Sequence, residues 1–357
     1  MSSKKKIVFV VNTYDKRDRG GVLRVISDLA NSLSSTFDVE ILSIGVVHEN
    51  AYPLNNNVFL KSLNINNYNT GYYRGLMKVI WFKEVYKKLK PYIDQEKIWI
   101  TSSPPISMLF SFIKIFSLNI KIIACDHTST VYKKGFLTQK LRNFMLSKLD
   151  LMIGLNPQDT TYYLKNGINS ICIPNGIDLA DIEHIQNNRK YLIFVGRFNE
   201  EKQPFKAVDL FIKSKLYESN IIFKMYGHGE YEEKLKKYIL ENKYDNYIKI
   251  ITGETDPNII YQDALALILT SKLEGFPLVL LEAMSRNIPC LCFKIPYGPI
   301  NIIKEGVNGY FIEDDALDFR NKINEINLLD NSLVRLSVEQ YSKKNIVKKW
   351  EKLIEFF

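Results

Sequence analysis

Several features are missing from this sequence, and each absence excludes a class of protein. No uninterrupted apolar run reaches about 18 residues, so no segment reads as a membrane-spanning helix. The chain opens Met1-Ser-Ser-Lys-Lys-Lys6 and runs straight into the apolar Ile7–Val11. That run is too short for a signal-peptide core, which predicts a cytoplasmic protein. Cysteine is scarce, four in 357 residues, so no disulfide framework is expected. Cys290 and Cys292 fall on one face of an apolar strand. A metal pair would need partners, but no second Cys or His pair stands at ligand spacing; buried, reduced thiols are the reading. Internal repeats and low-complexity tracts are absent too, apart from an Asn-rich stretch, Asn55–Asn69, read as a surface loop.

What is present suits a soluble globular chain: 46% hydrophobic, 24% charged and 12% aromatic residues. Its 357 residues favour two domains. The net charge of +9 is unevenly spread. Residues 1–175 hold 23 Lys and Arg against 12 Asp and Glu, a balance of +11, whereas residues 176–357 hold 25 against 27, or −2. A basic first half beside a near-neutral second half points to an anionic partner, nucleic acid or membrane.

Two segments favour the membrane surface over nucleic acid. In Tyr72–Pro91 the apolar set Phe82, Val85, Tyr86 and Leu89 has helical spacing, among Arg74, Lys78, Lys83, Lys87, Lys88 and Lys90. Tyr72, Tyr73 and Trp81 add rings. Val131–Leu149 repeats the mixture with Tyr132, Lys133, Lys134, Phe136, Lys140, Arg142, Phe144 and Lys148. Basic helices studded with aromatics lie in a headgroup layer, each cation adding about 1 kcal/mol near an anionic surface. The alternative for each is an ordinary domain helix with a solvated basic face.

Strand-length apolar runs alternate with helical patterns from end to end, for example Ile7–Val11, Val22–Leu33, Val39–Ile44, Leu192–Val195, Phe205–Lys215, Ile221–Tyr226, Ala266–Leu269, Pro277–Arg286 and Val338–Phe356. That alternation predicts an α/β protein of parallel sheets covered on both faces, and about a dozen strands predict two doubly wound sheets. The division is expected at Pro174-Asn-Gly-Ile-Asp178, giving domains 1–174 and 175–339, with a C-terminal helix at about 340–357 packing back on the first. Ligands of such sheets bind beyond the carboxyl ends of the strands, here in a central cleft.

The sharpest chemical signal is Ser271-Lys-Leu-Glu274-Gly-Phe-Pro-Leu-Val-Leu-Leu-Glu282-Ala-Met. A buried strand ends in a polar loop, and Pro277 then opens a helix where a missing N–H matters least. Gly275 permits close approach of a ligand, and the unpaired amides of Leu278 and Val279 make an anion site. Two carboxylates beside that site, Glu274 and Glu282, suit hydroxyl donors. Amides for phosphate and acids for a polyol describe a sugar-nucleotide pocket.

Glu274 and Glu282, with this spacing and the Gly-Phe-Pro centre, resemble the paired-glutamate motif of retaining glycosyltransferases of family 4, which have the GT-B fold of two Rossmann-like domains. The resemblance extends along most of the chain. It includes Gly20-Gly21, Pro174-Asn-Gly-Ile-Asp178, Val195-Gly196-Arg197 with Glu201-Lys202, Tyr226-Gly227-His-Gly229 and Ile302–Gly309. By that resemblance Arg197 and Lys202 neutralise the donor diphosphate, Glu282 accepts from ribose hydroxyls, and Glu274 from the transferred sugar. His127, in Cys125-Asp-His-Thr128, stands near that sugar, and the base lies by Gly253-Glu254-Thr255. Gly20, Gly21, Gly196, Gly227, Gly275, Phe276, Pro277, Leu278 and Val279 complete the donor site. No metal or other cofactor is implied, and no Asp-x-Asp motif is present.

Two departures from the family pattern stand out. An acidic residue is missing at Leu23, and Pro296-Tyr-Gly-Pro-Ile300 replaces a Gly-Gly pair, a variant that resembles polysaccharide and lipid-linked oligosaccharide transferases. The resemblance implies a bacterial surface-polysaccharide or lipopolysaccharide enzyme. It would move a hexose or N-acetylhexosamine from a UDP-sugar to a lipid-linked glycan at the inner face of the cytoplasmic membrane. No side chain is placed as a nucleophile, so front-face transfer is expected. The alternatives are a sugar-nucleotide epimerase of the same fold and a non-catalytic carbohydrate-binding protein.

Overall fold

The apolar runs assemble into two sheets in which every pairing is parallel. The computed structural model describes residues 4–66, 77–116, 119–127, 135–180 and 189–357. It divides into two units, Met1–Gly176 with Lys344–Phe357, and Ile177–Lys343.

The first unit runs β1 (Lys6–Val11), α1 (Gly21–Leu33), β2 (Asp38–Gly45), β3 (Val58–Ile65), α2 (Met77–Leu89), β4 (Lys97–Thr101), α3 (Pro104–Phe116), β5 (Lys121–Cys125), α4 (Phe136–Leu146), β6 (Leu151–Gly154), α5 (Pro157–Lys165) and β7 (Ser170–Cys172). Its seven strands lie in the order β3-β2-β1-β4-β5-β6-β7. Ile7, Val8, Phe9, Val10 and Val11 of β1 are all buried, so the central strand is apolar on both faces, as a doubly covered sheet requires. One face is packed by Trp81, Val85 and Leu89 of α2, Ile106, Leu109, Phe110 and Ile113 of α3, Leu146 of α4 and Tyr163 of α5.

The second unit runs β8 (Tyr191–Val195), α6 (Pro204–Lys213), β9 (Ile222–Tyr226), α7 (Glu232–Glu241), β10 (Ile248–Ile251), α8 (Pro257–Ile260), β11 (Ala264–Leu269), α9 (Leu278–Met284), β12 (Cys290–Phe293), β13 (Gly309–Ile312), α10 (Ala316–Ile326) and α11 (Asn331–Leu336). Its six strands lie in the order β10-β9-β8-β11-β12-β13. Every residue of β11 is buried. Cys290 and Cys292 are free thiols inside this core, packed as small apolar groups.

The chain then returns to the first unit through α12 (Lys343–Phe356). Ile346, Trp350 and Ile354 are its buried stripe, and Lys5 Nζ donates to the carbonyls of Ile354 (3.1 Å) and Glu355 (2.7 Å).

Three sequence expectations are corrected. Asn55–Asn69 is not simply a surface loop: Val58–Ile65 is the edge strand β3, parallel to β2, and residues 67–69 lie outside the described part. Val58, Leu63 and Ile65 are buried while Phe59 and Asn64 face out, and this irregular half-burial is what hides an edge strand among asparagines. Val338–Phe356 is not one helix, since a short turn at Glu339–Tyr341 precedes α12. The helical pattern in Tyr72–Pro91 does not present its apolar set outward. Val85 and Leu89 are buried, and Phe82 and Tyr86 pack against the core. Residues 72–76 lie outside the described part, as do 131–134 of the second basic segment.

Candidate functional site

In the second sheet the winding reverses between β8 and β11, which lie side by side although three strands apart in sequence. The connections leaving their carboxyl ends go to opposite faces and open a crevice at that point. The segment after β8 carries Gly196, Arg197 and Lys202, and the segment after β11 carries Thr270, Ser271 and Glu274. Topology therefore brings together the two motifs richest in charge.

They meet in a defined contact. Lys202 Nζ lies 2.5 Å from Oε1 of Glu274, with the side chains 22% and 8% exposed. Ser271 Oγ donates to the same oxygen at 2.6 Å. Oε2 of Glu274 has no partner among the described residues, which leaves an acceptor for a further hydroxyl. The loop under Lys202 is tied down by Thr270, whose hydroxyl bonds the Lys202 and Gln203 carbonyls, and by the Lys272 amide donating to the Glu201 carbonyl at 2.8 Å. Arg197 is exposed and makes no side-chain hydrogen bond or ion pair among the described residues. A fixed ammonium and a free guanidinium thus flank the end of β8.

Pro277 is the residue before α9 rather than its first turn, and α9 has seven residues. The Leu278 and Val279 amides are at its start, where no carbonyl within the helix can reach them. Phe276 turns inward, its ring edge-on to Tyr341 with centroids 5.5 Å apart. Glu282 is buried in α9 and its Oε2 accepts from the Tyr261 hydroxyl at 2.8 Å. Burial, and then the Glu282 charge, push the Tyr261 phenol well above its ordinary pKa, so it stays a donor. Arg286 lies over the Tyr261 ring at 5.1 Å. Nothing in the sequence singled out Tyr261 or Thr270, and Ser271 stood in the motif without a role.

Glycines shape the rim. Gly227 follows β9 so closely over β8 that a Cβ there would lie 1.9 Å from the Gly196 carbonyl oxygen. A Cβ on Gly229 would meet the Phe198 carbonyl oxygen at 2.5 Å. The Gly253 backbone is left-handed (φ 82°), and the neighbouring Glu254 carboxylate caps the amides of Thr255 and Asp256, each at 2.7 Å. In Pro296-Tyr-Gly-Pro-Ile300, Gly298 packs under the Glu274 loop, where a Cβ would meet Pro277 Cδ at 2.8 Å. The variant stretch therefore buttresses the paired-acid loop. Behind it, the buried Asn308 side chain bonds the Ile302 carbonyl, the Lys304 amide and Ser337.

Gly20, Gly21 and His127 belong to the first unit. Gly20 caps α1 and Gly21 is its first residue. Leu23 is buried in that first turn, so the position lacking the family's acid faces the core. His127 follows β5 and is half-buried, and desolvation pulls its pKa from 6.5 to about 4, so its ring is neutral at pH 7. Beside it Asp126 is buried, paired with the buried Arg142 at 3.1 Å and hydrogen-bonded by Ser107 at 2.9 Å. Thr128 lies outside the described part.

Residues 178–345 match the family described as "Glycosyl transferases group 1". The chain is a glycosyltransferase. Among proteins similar to this glycosyltransferase along almost their whole length is the "Amylovoran biosynthesis glycosyltransferase AmsD" of Erwinia amylovora, 24% identical over 94% of this chain and 96% of that one. Another is the "GalNAc-alpha-(1->4)-GalNAc-alpha-(1->3)-diNAcBac-PP-undecaprenol alpha-1,4-N-acetyl-D-galactosaminyltransferase" of Campylobacter jejuni, 24% identical over 98% of each. Among solved structures, a mutant of S. aureus TarM superposes with a TM-score of 0.78 at 15% identity, over 98% of this chain and 99% of that one. The glycosyltransferase has the two-domain α/β GT-B fold. Among its described residues no group of three or more His, Cys, Asp and Glu is arranged to hold a metal.

Proposed function

We propose that this glycosyltransferase is a retaining enzyme of family 4. It moves a hexose or N-acetylhexosamine from a UDP-sugar to a lipid-linked glycan during bacterial surface-polysaccharide assembly, and it works without a metal. One observation carries the reading: the Lys202–Glu274 pair at the sheet's reversal point, beside the unpaired Arg197. Two cations, one held by Glu274 and one free to close on the ligand, stabilise the charge that develops on a diphosphate leaving group, as a metal would otherwise do. Glu274, held by Lys202 and Ser271, accepts from a hydroxyl of the transferred sugar; Glu282, oriented by Tyr261, accepts from the ribose.

In front-face transfer the bond from the anomeric carbon to the diphosphate oxygen breaks. The acceptor oxygen bonds that carbon on the same face, and its proton passes to the departing phosphate oxygen. UDP as carrier is supported by the TarM structure, solved with UDP, and an undecaprenol-linked acceptor by the name of the Campylobacter relative. A peripheral position at the inner membrane face is part of the same proposal, since such an acceptor is anchored there.

The test is UDP release from a panel of UDP-hexoses and UDP-N-acetylhexosamines, with and without a membrane extract carrying acceptor lipids, followed by proton NMR of the product anomer. Acceptor-dependent release with retained configuration is expected. An inverted product, or epimerised sugar in place of transfer, refutes the reading.

A further inference from the structure

We propose that the outer face of α4 docks on an anionic lipid surface. This goes beyond the peripheral location proposed above by naming the face that makes contact, and it draws only on that location, not on the transfer chemistry.

Helix α4 is turned inside out relative to an ordinary covering helix. It buries Arg142 and Leu146 and no other residue. Phe136 (71%), Leu137 (80%), Leu141 (55%) and Phe144 (56%) are exposed instead. Leu137, Leu141 and Phe144, at i, i+4 and i+7, form one strip along the helix, and Phe136 flanks it at the first turn. Helix α3 packs against α4, but its exposed Phe112 turns the other way, edge-on to Tyr86 of α2 with ring centroids 6.3 Å apart, so the strip belongs to α4 alone. Isolated exposed apolar residues are ordinary, but a run of large ones along one helix marks an interaction surface.

The charges choose the partner. Lys140 Nζ lies 4.5 Å from the centre of the Phe136 ring, and Lys148 Nζ lies 4.7 Å from that of Phe144. Each ammonium rides on an apolar stem beside a ring that would enter the acyl boundary, the arrangement in which lysines reach headgroups. Residues 101–150 hold seven Lys and Arg, no Glu, and only Asp126 and Asp150. Both acids are already paired, with Arg142 and Lys114, so docking brings no unpaired carboxylate toward anionic phosphates. Helix α2 differs: its rings pack inward, and Glu84 sits on its exposed side between Lys83 and Lys87.

The full chain is sedimented with phosphatidylcholine vesicles and with vesicles containing about one third phosphatidylglycerol. Binding is expected to the anionic vesicles and to weaken with salt. Leu137→Ser with Phe144→Ser should lower the partition coefficient about ten-fold or more. Lys140→Glu should lower it about five-fold or more, since one cation near the surface is worth about that factor. Val79→Ser with Lys87→Glu, on α2, should leave it unchanged. Thermal unfolding and UDP release measured on the same variants separate a lost surface from a lost fold. Wild-type binding that the α4 variants retain overturns the proposal while leaving the peripheral location intact. No vesicle binding overturns both and leaves the transferase reading standing. Concentration-dependent self-association that the α4 variants abolish, without vesicle binding, overturns it in favour of a second copy of the chain.

Discussion

Tyr261 and Glu282, on separate elements 21 residues apart, share a buried hydrogen bond of 2.8 Å between phenol and carboxylate. The tyrosine aims the acid that the proposed mechanism uses for the ribose. Tyr261→Phe removes a bond to a charged group, worth roughly 1.5–3 kcal/mol. The KM for the UDP-sugar is expected to rise about ten-fold or more, with kcat changed little. An unchanged KM in steady-state UDP release would show that the tyrosine is only packing.

Lys202→Ala and Arg197→Ala are each expected to lower turnover by about 100-fold or more, the scale seen when one fixed stabiliser of developing charge is lost. Glu274→Gln keeps the shape but weakens both the Lys202 anchor and the sugar contact, and the same loss is expected. Single-turnover rates decide the matter: near-normal transfer by both cation variants removes the leaving-group role.

Gly227→Ala must push a methyl group into the Gly196 carbonyl, 1.9 Å from its ideal position. Overpacking of this kind costs about 1–3 kcal/mol, and here the obstacle is backbone. Urea unfolding should shift to a lower midpoint, with donor affinity reduced as the loop after β8 moves.

Protonation of His127 opposes folding. Its pKa is 6.5 in an open chain and about 4 in the folded protein. Between those values the unfolded chain binds the extra proton, so stability is greatest above pH 6.5 and falls as pH drops through the window. His127→Gln should flatten that part of the stability profile. In NMR titration the wild-type ring should stay neutral down to about pH 5. A ring that titrates near 6.5 would contradict its burial.

Arg142 and Asp126 form an ion pair whose side chains are 6% and 0% exposed. Removing one member strands the other charge, so Arg142→Ala is expected to cost about 3–5 kcal/mol by denaturant titration. A loss below about 1 kcal/mol, the value of an exposed pair, would show that water reaches the site.

Much of the fold was legible because parallel strands buried on both faces write themselves as plain apolar runs: Ala264–Leu269 has no polar residue. β3 escaped for the opposite reason, an edge strand with half its residues in solvent and asparagines around it. The charged candidates were legible mainly through their resemblance to a family's motifs: Arg197, Lys202 and Glu274 follow strand ends, and Glu282 lies in α9. The supporting residues were not. Tyr261 lies in an ordinary turn after α8, and its bond to Glu282 exists only once α9 is laid against that turn. The basic segments show a similar limit: both carry rings and lysines, and composition cannot say which way the rings turn. In α2, Trp81 and Val85 went to the core; in α4, Phe136 and Phe144 did not.

Because α12 packs with residues from the other end of the chain, the second unit is in effect an insertion within the first. Ile346, Trp350 and Ile354 are buried where that helix packs on the first unit. A growing polypeptide therefore holds seven strands with one flank uncovered while the whole second lobe is being synthesised. The later lobe can mature first, and the earlier one must remain unfinished, a natural client for chaperones, until residues 344–357 emerge to seal it.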